Sequence, residues 1–197
     1  MPNIVSICGT SRPGNYTGKA LAVVNDELSR RGVSVTSLDA AGLSLSFPGQ
    51  PPTEDGERLR KAVEESSAVV LATPEYHGGY SAMMKLVIEN LGFPSALRNK
   101  PTALLGVAAG RIGAIKSLEQ LRAVTSHIGA LVLPGSVSIA GVRAAFDEDG
   151  NCTDDAVAET LRGLATALVD FMKEYVCPRY QLEEMVRQEG PAWTASV

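Results

Sequence analysis

The sequence predicts an α/β fold, a three-layer sandwich in which a five-stranded parallel sheet carries helices on both faces, and three observations lead there. Five short runs of aliphatic and β-branched residues alternate with five stretches whose apolar residues recur at helical spacing, the pattern of a parallel sheet joined by right-handed crossovers. The runs Ile4 to Cys8 and Ala68 to Thr73 are apolar almost throughout rather than at every second position, as strands buried on both faces are. The chain has 197 residues, 45% hydrophobic and 20% charged, which suits one domain with a sizeable core.

Taken in order, Ile4 to Cys8 is a central strand running into a Gly-rich turn. Ala20, Leu21, Val24 and Leu28 then trace a helical face, with Thr17 as its expected N-cap and Gly32 as its stop. Val33 to Leu38 alternates as a second strand, and Pro48, Gly49, Pro51 and Pro52 mark an irregular connection. Leu59, Ala62 and Val63 place a second helix ending near Ser66, and Ala68 to Thr73 is a third strand expected to stop at Pro74. After a turn at Gly78 and Gly79, the residues Ala82, Met83, Leu86, Val87 and Leu91 outline a third helix, followed by a fourth strand over Thr102 to Ala109. Ile115, Leu118, Leu121 and Ile128 belong to a fourth helix, Leu131 to Ile139 to a fifth strand, and Ala156 to Tyr175 to a long closing helix. The predicted domain therefore spans residues 1–177, leaving a tail over 178–197 whose Leu182, Met185, Val186 and Trp193 suit either an ordinary surface segment or docking on a neighbouring subunit.

Composition removes several classes of function. A net charge of −4 with no run of Lys or Arg leaves no electrostatic footprint for nucleic acid or an anionic membrane. The apolar run after Met1, Pro2 and Asn3 ends at Cys8, far short of a signal-peptide core or of the roughly 20 residues of a spanning helix, so the chain reads as cytoplasmic. Three scattered cysteines, Cys8, Cys152 and Cys177, and two distant histidines, His77 and His127, offer neither a disulfide framework nor a metal site.

Ligands of open parallel sheets bind outside the carboxyl ends of the strands, where the strand order reverses. For strand order 2-1-3-4-5, the loops that matter are Gly9 to Tyr16, Pro74 to Tyr80 and Gly110 to Gly113. The first contains Thr10, Ser11, Arg12, Asn15, Tyr16 and Thr17: hydroxyls, amides leading into a helix N-terminus and one guanidinium, which together suit a terminal phosphate dianion. The second, Pro74-Glu75-Tyr76-His77-Gly78, offers aromatic faces and glycines that let a flat ring approach the backbone. The third, with Gly110, Arg111 and Gly113, either gives amides to the pyrimidine side of a flavin or simply makes a tight turn.

Spacing excludes three rival phosphate motifs. A Walker A loop ending in Gly18-Lys19 would need Gly and Ser or Thr where Pro13 and Ala20 stand. A dinucleotide Gly-x-Gly-x-x-Gly is absent because Thr10 and Ser11 follow Gly9, and a Cys-x5-Arg phosphatase loop starting at Cys8 would place Arg where Gly14 is.

Gly-Thr-Ser-Arg at 9–12, Pro-Glu-Tyr-His-Gly at 74–78 and the continuing Ser81-Ala82-Met83-Met84-Lys85 resemble the NADPH-dependent FMN reductase family of flavodoxin-like flavin, quinone, azo and chromate reductases, over roughly residues 3–175. The resemblance implies bound FMN, NADPH or NADH as electron donor, a small-molecule acceptor and a homodimer or homotetramer. It also implies phosphate contacts from Ser11, Arg12 and Thr17, and ring or ribityl contacts from Pro74, Glu75, Tyr76, His77 and Gly78. Members of that family commonly carry Asn where His77 stands. No catalytic side chains are expected, because the flavin carries the chemistry. Two other classes fit the same fold: a flavodoxin-type electron carrier serving protein partners, usually far more acidic than this chain, and a nonenzymatic receiver-like module, whose acidic cluster Asn3, Asp39 and Glu75 do not assemble.

Overall fold

The computed structural model describes residues 2–178 and 182–185. Its strands are β1 (Asn3–Cys8), β2 (Ser34–Asp39), β3 (Ala68–Tyr76), β4 (Gly79–Tyr80), β5 (Pro101–Val107), β6 (Leu131–Val132) and β7 (Val137–Ile139), and its α-helices are α1 (Tyr16–Arg30), α2 (Glu54–Glu65), α3 (Ala82–Glu89), α4 (Ile115–His127) and α5 (Asp155–Phe171). The sheet runs β2-β1-β3-β5-β6, with β7 also beside β5 and every pair parallel except β3 with β4. The fold is the predicted flavodoxin-like sandwich with the predicted order of positions.

The strand count is seven rather than five, and each extra strand has a local cause. The stretch Leu131 to Ile139 divides because Pro134, which lacks an N–H, interrupts the ladder ahead of Gly135. Both halves still pair with β5, Thr102 opposite Val132 and Leu105 opposite Val137. The Arg122 guanidinium bridges the gap by donating to the Leu133 carbonyl at 2.7 Å and to Ser136 Oγ at 2.7 Å. At the other site, Pro74 does not end β3. It occupies the last position paired with β5, opposite Val107, where a missing N–H is tolerated. The strand continues to Tyr76 and folds back as β4, Glu75 pairing with Tyr80 and Tyr76 with Gly79.

Two helix ends also differ from expectation. Asn15, not Thr17, caps α1: its extended backbone lets Oδ1 accept from the Gly18 amide at 2.6 Å, while Thr17 lies buried in the first turn. The closing helix is α-helical only to Phe171 and ends in a π turn over Met172–Val176. Within the tail, Leu182 and Met185 are exposed, and Val186 and Trp193 lie outside the described residues.

Adjacent residues of β3 face opposite cores. Val70 and Ala72 pack with Ala20, Leu21 and Leu28 of α1 and Leu161 and Leu168 of α5, whereas Val69 and Leu71 pack with Leu59 of α2, Met84 and Val87 of α3 and Leu121 of α4. This is why the strand reads as a continuous apolar run. Each fully buried leucine, such as Leu71 or Leu105, contributes roughly 1.5–3 kcal/mol, so the strand ends are anchored from both sides. Among the described residues, no helix is long and apolar enough to cross a membrane.

Candidate flavin site

The chain leaves β1 toward β2 on one side and returns to β3 on the other, so β1 and β3 flank the switch point where ligands of open sheets bind. A cleft of about 540 Å³ opens there, lined by residues 12–17, 74–76, 107–109 and 142–143. Its size is within the few hundred to a thousand Å³ of small-molecule and cofactor pockets.

The β1–α1 loop builds one end of the cleft. Thr10 is buried, its hydroxyl shares a 3.3 Å hydrogen bond with the Tyr76 hydroxyl, and it accepts from the Arg12 amide at 3.3 Å. The Asn15 side chain is fully used by the loop: Oδ1 caps α1 while Nδ2 donates to the Arg12 carbonyl at 2.9 Å. Thr10 and Asn15 therefore shape the turn. Ser11 and Arg12 are exposed, and Arg12 enters no salt bridge among the described residues. The amides of Tyr16 and Thr17 are the first of α1 and have no intrahelical acceptor. Arg12, Tyr16 and Thr17 thus bring a guanidinium and two helix-terminal amides to one cleft, groups of the kind that bind anions.

The β3–β4 hairpin forms the adjoining wall with Pro74, Glu75 and Tyr76. Its two turn residues, His77 and Gly78, have φ of 52° and 74°, the left-handed pair that a two-residue hairpin requires. Asn-Gly is the favoured pair for such a turn, and His77-Gly78 stands in its place here. His77 itself is exposed and lies outside the cleft lining, as does Gly78. Helix α4 holds this hairpin: Gln120 Nε2 donates to the Gly78 carbonyl at 3.0 Å, and Glu75 Oε2 accepts from the Ser117 amide at 3.2 Å. Ala114, the residue before α4, supplies no side-chain cap, so Glu75 serves that helix terminus with its negative charge.

Ser81 joins the two loops and was not among the expected site residues. Its hydroxyl donates to the Gly9 carbonyl and accepts from the Met84 amide at 2.9 Å, and its own amide donates to Thr73 Oγ1 at 3.1 Å. The available signal was a serine directly before an apolar helical run.

The β5–α4 loop is arranged differently. Gly110, Arg111 and Gly113 lie outside the cleft lining, which takes Val107, Ala108 and Ala109 instead. The Gly110 carbonyl accepts from the Gly141 amide at 3.0 Å and the Gly113 amide at 3.4 Å. Gly113 has φ of 82°, and a Cβ there would fall 2.5 Å from Ser138 Oγ, the atom that accepts from the Ala114 amide at 2.8 Å. Arg111 is exposed to solvent.

Val142 and Arg143, on the turn after β7, complete the lining and were not expected from the sequence. A lone arginine so far from the other loops carries no motif. Only the rule that ligands sit at strand carboxyl ends, applied to the fifth strand as well, points to it.

Beneath the site, Cys8 ends β1. Burial pushes its thiol up from 9.0 to about 12, and the nearby Asp39 charge adds to the rise. It stays a neutral thiol and contributes packing, not nucleophilic chemistry. A second cavity, about 390 Å³, lies between the Ser46–Pro52 segment and the ends of α2 and α3. It is lined by Glu57, Glu89 and Arg60, and Arg60 is already paired with Glu64 at 2.9 Å, so it lacks the anion-binding character of the first.

Known proteins match this architecture. The family model described as NADPH-dependent FMN reductase matches residues 2–144. The chain is 30% identical to an NAD(P)H-dependent FMN reductase of Pseudomonas aeruginosa over 84% of its own length and 92% of the relative's. It is 34% identical to an NADPH azoreductase of a Bacillus species over 78% and 83% of the two chains. Among solved structures, the flavoenzyme NAD(P)H:(acceptor) oxidoreductase FerB of Paracoccus denitrificans superposes with a TM-score of 0.73 at 24% identity, covering 89% of this chain and 99% of that one, which supports the fold. With a matching family model over most of its length, relatives of 30% and 34% identity over most of both chains and a cleft where such a fold binds its ligand, the chain belongs to the NADPH-dependent FMN reductase family and is an oxidoreductase.

Proposed function

We propose that this protein holds FMN in the 540 Å³ cleft and passes two electrons, by ping-pong hydride transfer, from NADPH or NADH to a small acceptor such as a free flavin, a quinone, an azo compound or chromate. The observation that carries this reading is the pairing of an anion site, made by Arg12 and the first amides of α1, with a wall of Pro74 and Tyr76 over the ends of β3 and β5. A phosphate on a short polyol chain attached to a flat ring matches that pairing. When bound, FMN would supply the hydride-accepting and hydride-donating centre.

The chain's own residues position and stabilise. Ser11, Arg12 and Thr17 hold the phosphate, with Tyr16 offering its amide and Thr10 and Asn15 fixing the loop. Pro74, Glu75 and Tyr76 face the ring or ribityl chain, with His77 and Gly78 setting the hairpin that presents them. Gly110, Arg111 and Gly113 make the tight turn that follows the lining residues Ala108 and Ala109, a role that the Gly110–Gly141 and Ala114–Ser138 hydrogen bonds favour. One domain over 1–177 followed by a tail over 178–197, in a cytoplasmic homodimer or homotetramer, completes the reading.

The test is visible absorption of the FMN-reconstituted protein during anaerobic addition of NADPH and then NADH. The bound-flavin band should bleach within seconds and recover when a quinone or azo dye is added. A bound FMN that neither nucleotide bleaches would transfer the protein to the electron-carrier class.

A further inference from the structure

The cleft contains a second guanidinium. Arg143 sits on a 3₁₀ turn, Val142–Ala144, directly after β7, and it lines the same cleft as Arg12. The turn is not a loose surface loop. The Gly141 amide donates to the Gly110 carbonyl at 3.0 Å, the Val142 amide donates to the Ala108 carbonyl at 3.1 Å, and the Val142 side chain is buried.

The next residues tie this turn to the start of α1. The Phe146 ring packs on the Tyr16 ring with centroids 6.3 Å apart, and Lys19 Nζ donates to the Asp147 carbonyl at 2.9 Å while lying 5.2 Å from the Tyr16 ring centroid. The turn that carries Arg143 is thus packed against the first turn of α1, whose residues line the same cleft.

Neither Arg12 nor Arg143 enters a salt bridge among the described residues. Glu75 supplies the cleft's one carboxylate, and that group is engaged with the Ser117 amide at 3.2 Å. Two cations without a salt bridge in one cleft of a chain with net charge −4 make a locally positive lining that suits an anion. A phosphate dianion has acceptor oxygens enough for two guanidinium groups and a helix terminus together.

We infer that Arg143 is a second phosphate-binding residue of this cleft, acting with Arg12 on the terminal phosphate of FMN. This inference rests on the flavin reading above and adds a contact from the fifth-strand end of the sheet.

The experiment is a fluorescence-quenching titration of wild type, Arg143→Ala, Arg143→Lys and Arg12→Ala with FMN and with riboflavin, which lacks the phosphate. Arg143→Ala should lose tenfold or more in FMN affinity and nothing in riboflavin affinity, with Arg143→Lys recovering part of the loss. Equal FMN affinity in Arg143→Ala and wild type overturns the inference and leaves the flavin reading standing. So does an intact FMN affinity with a raised KM for NADPH but not NADH, which would assign Arg143 to the nucleotide's extra phosphate. A wild type that binds neither flavin overturns the parent reading and this one with it.

Discussion

The β1–α1 and β5–α4 loops look alike in sequence, each a Gly-flanked turn carrying one arginine at a strand's carboxyl end, yet they do different work. In the first, Thr10 and Asn15 satisfy the loop's polar groups, and the Arg12 side chain and the first α1 amides line the cleft without being drawn into those bonds. In the second, Gly110 closes internally on Gly141, Gly113 leaves no room for a side chain beside Ser138, and Arg111 lies outside the cleft lining. A glycine-rich turn at a strand end is therefore only a candidate site. What decides is whether the turn's hydrogen-bonding groups are already spent on the fold.

The sharpest way to break this contrast is Gly113→Ala. A non-glycine residue at φ 82° with its Cβ 2.5 Å from Ser138 Oγ should cost about 2–4 kcal/mol, strain plus displacement of the Ser138–Ala114 bond. Urea unfolding would read the loss, and the FMN affinity of the folded fraction should hold. A matched pair of arginine variants comes next. Arg12→Ala should weaken FMN binding about 10- to 100-fold, as expected when charge-assisted hydrogen bonds of about 1.5–3 kcal/mol are removed, whereas Arg111→Ala should change it by less than about twofold. Comparable losses in both titrations would erase the distinction between the loops.

Asn15→Ala removes the α1 cap and one loop staple, so the midpoint of chemical unfolding should fall by the equivalent of about 1 kcal/mol, with FMN affinity falling as the loop loosens. The smallest effect belongs to His77→Asn. Asparagine accepts the left-handed conformation more readily than histidine, so the hairpin should gain a few tenths of a kcal/mol with FMN affinity unchanged. A clear loss of flavin binding in that variant would mean that the imidazole contacts the ligand.

Much of this arrangement could be read from residues alone, because strands buried on both faces and amphipathic crossovers leave strong patterns. Ala68 to Thr73 showed its buried character without any partner in view. The features that escaped are those set by a few atoms. Leu131-Val132-Leu133 is as apolar as an unbroken strand would be, and only the hydrogen bonds from Arg122 reveal how the chain tolerates the gap at Pro134. Pro74 read as a stop because a proline usually ends a ladder, and here it falls where β3 exchanges one partner for another. Asn15 and Thr17 are both good capping residues, and backbone geometry chose the first. Arg143 lines the cleft on a turn followed by Phe146, whose ring packs on Tyr16, a contact across 130 residues that local pattern does not report.

The central claim is that FMN occupies the switch-point cleft rather than the cavity beside α2 and α3. Hydrogen–deuterium exchange on the protein with and without FMN tests it most directly, since the two cavities share no lining residue. The account predicts that FMN slows exchange in residues 10–17, 74–79 and 141–146 and leaves residues 46–60 and 89–92 unchanged. Protection confined to 46–60 and 89–92 would contradict it.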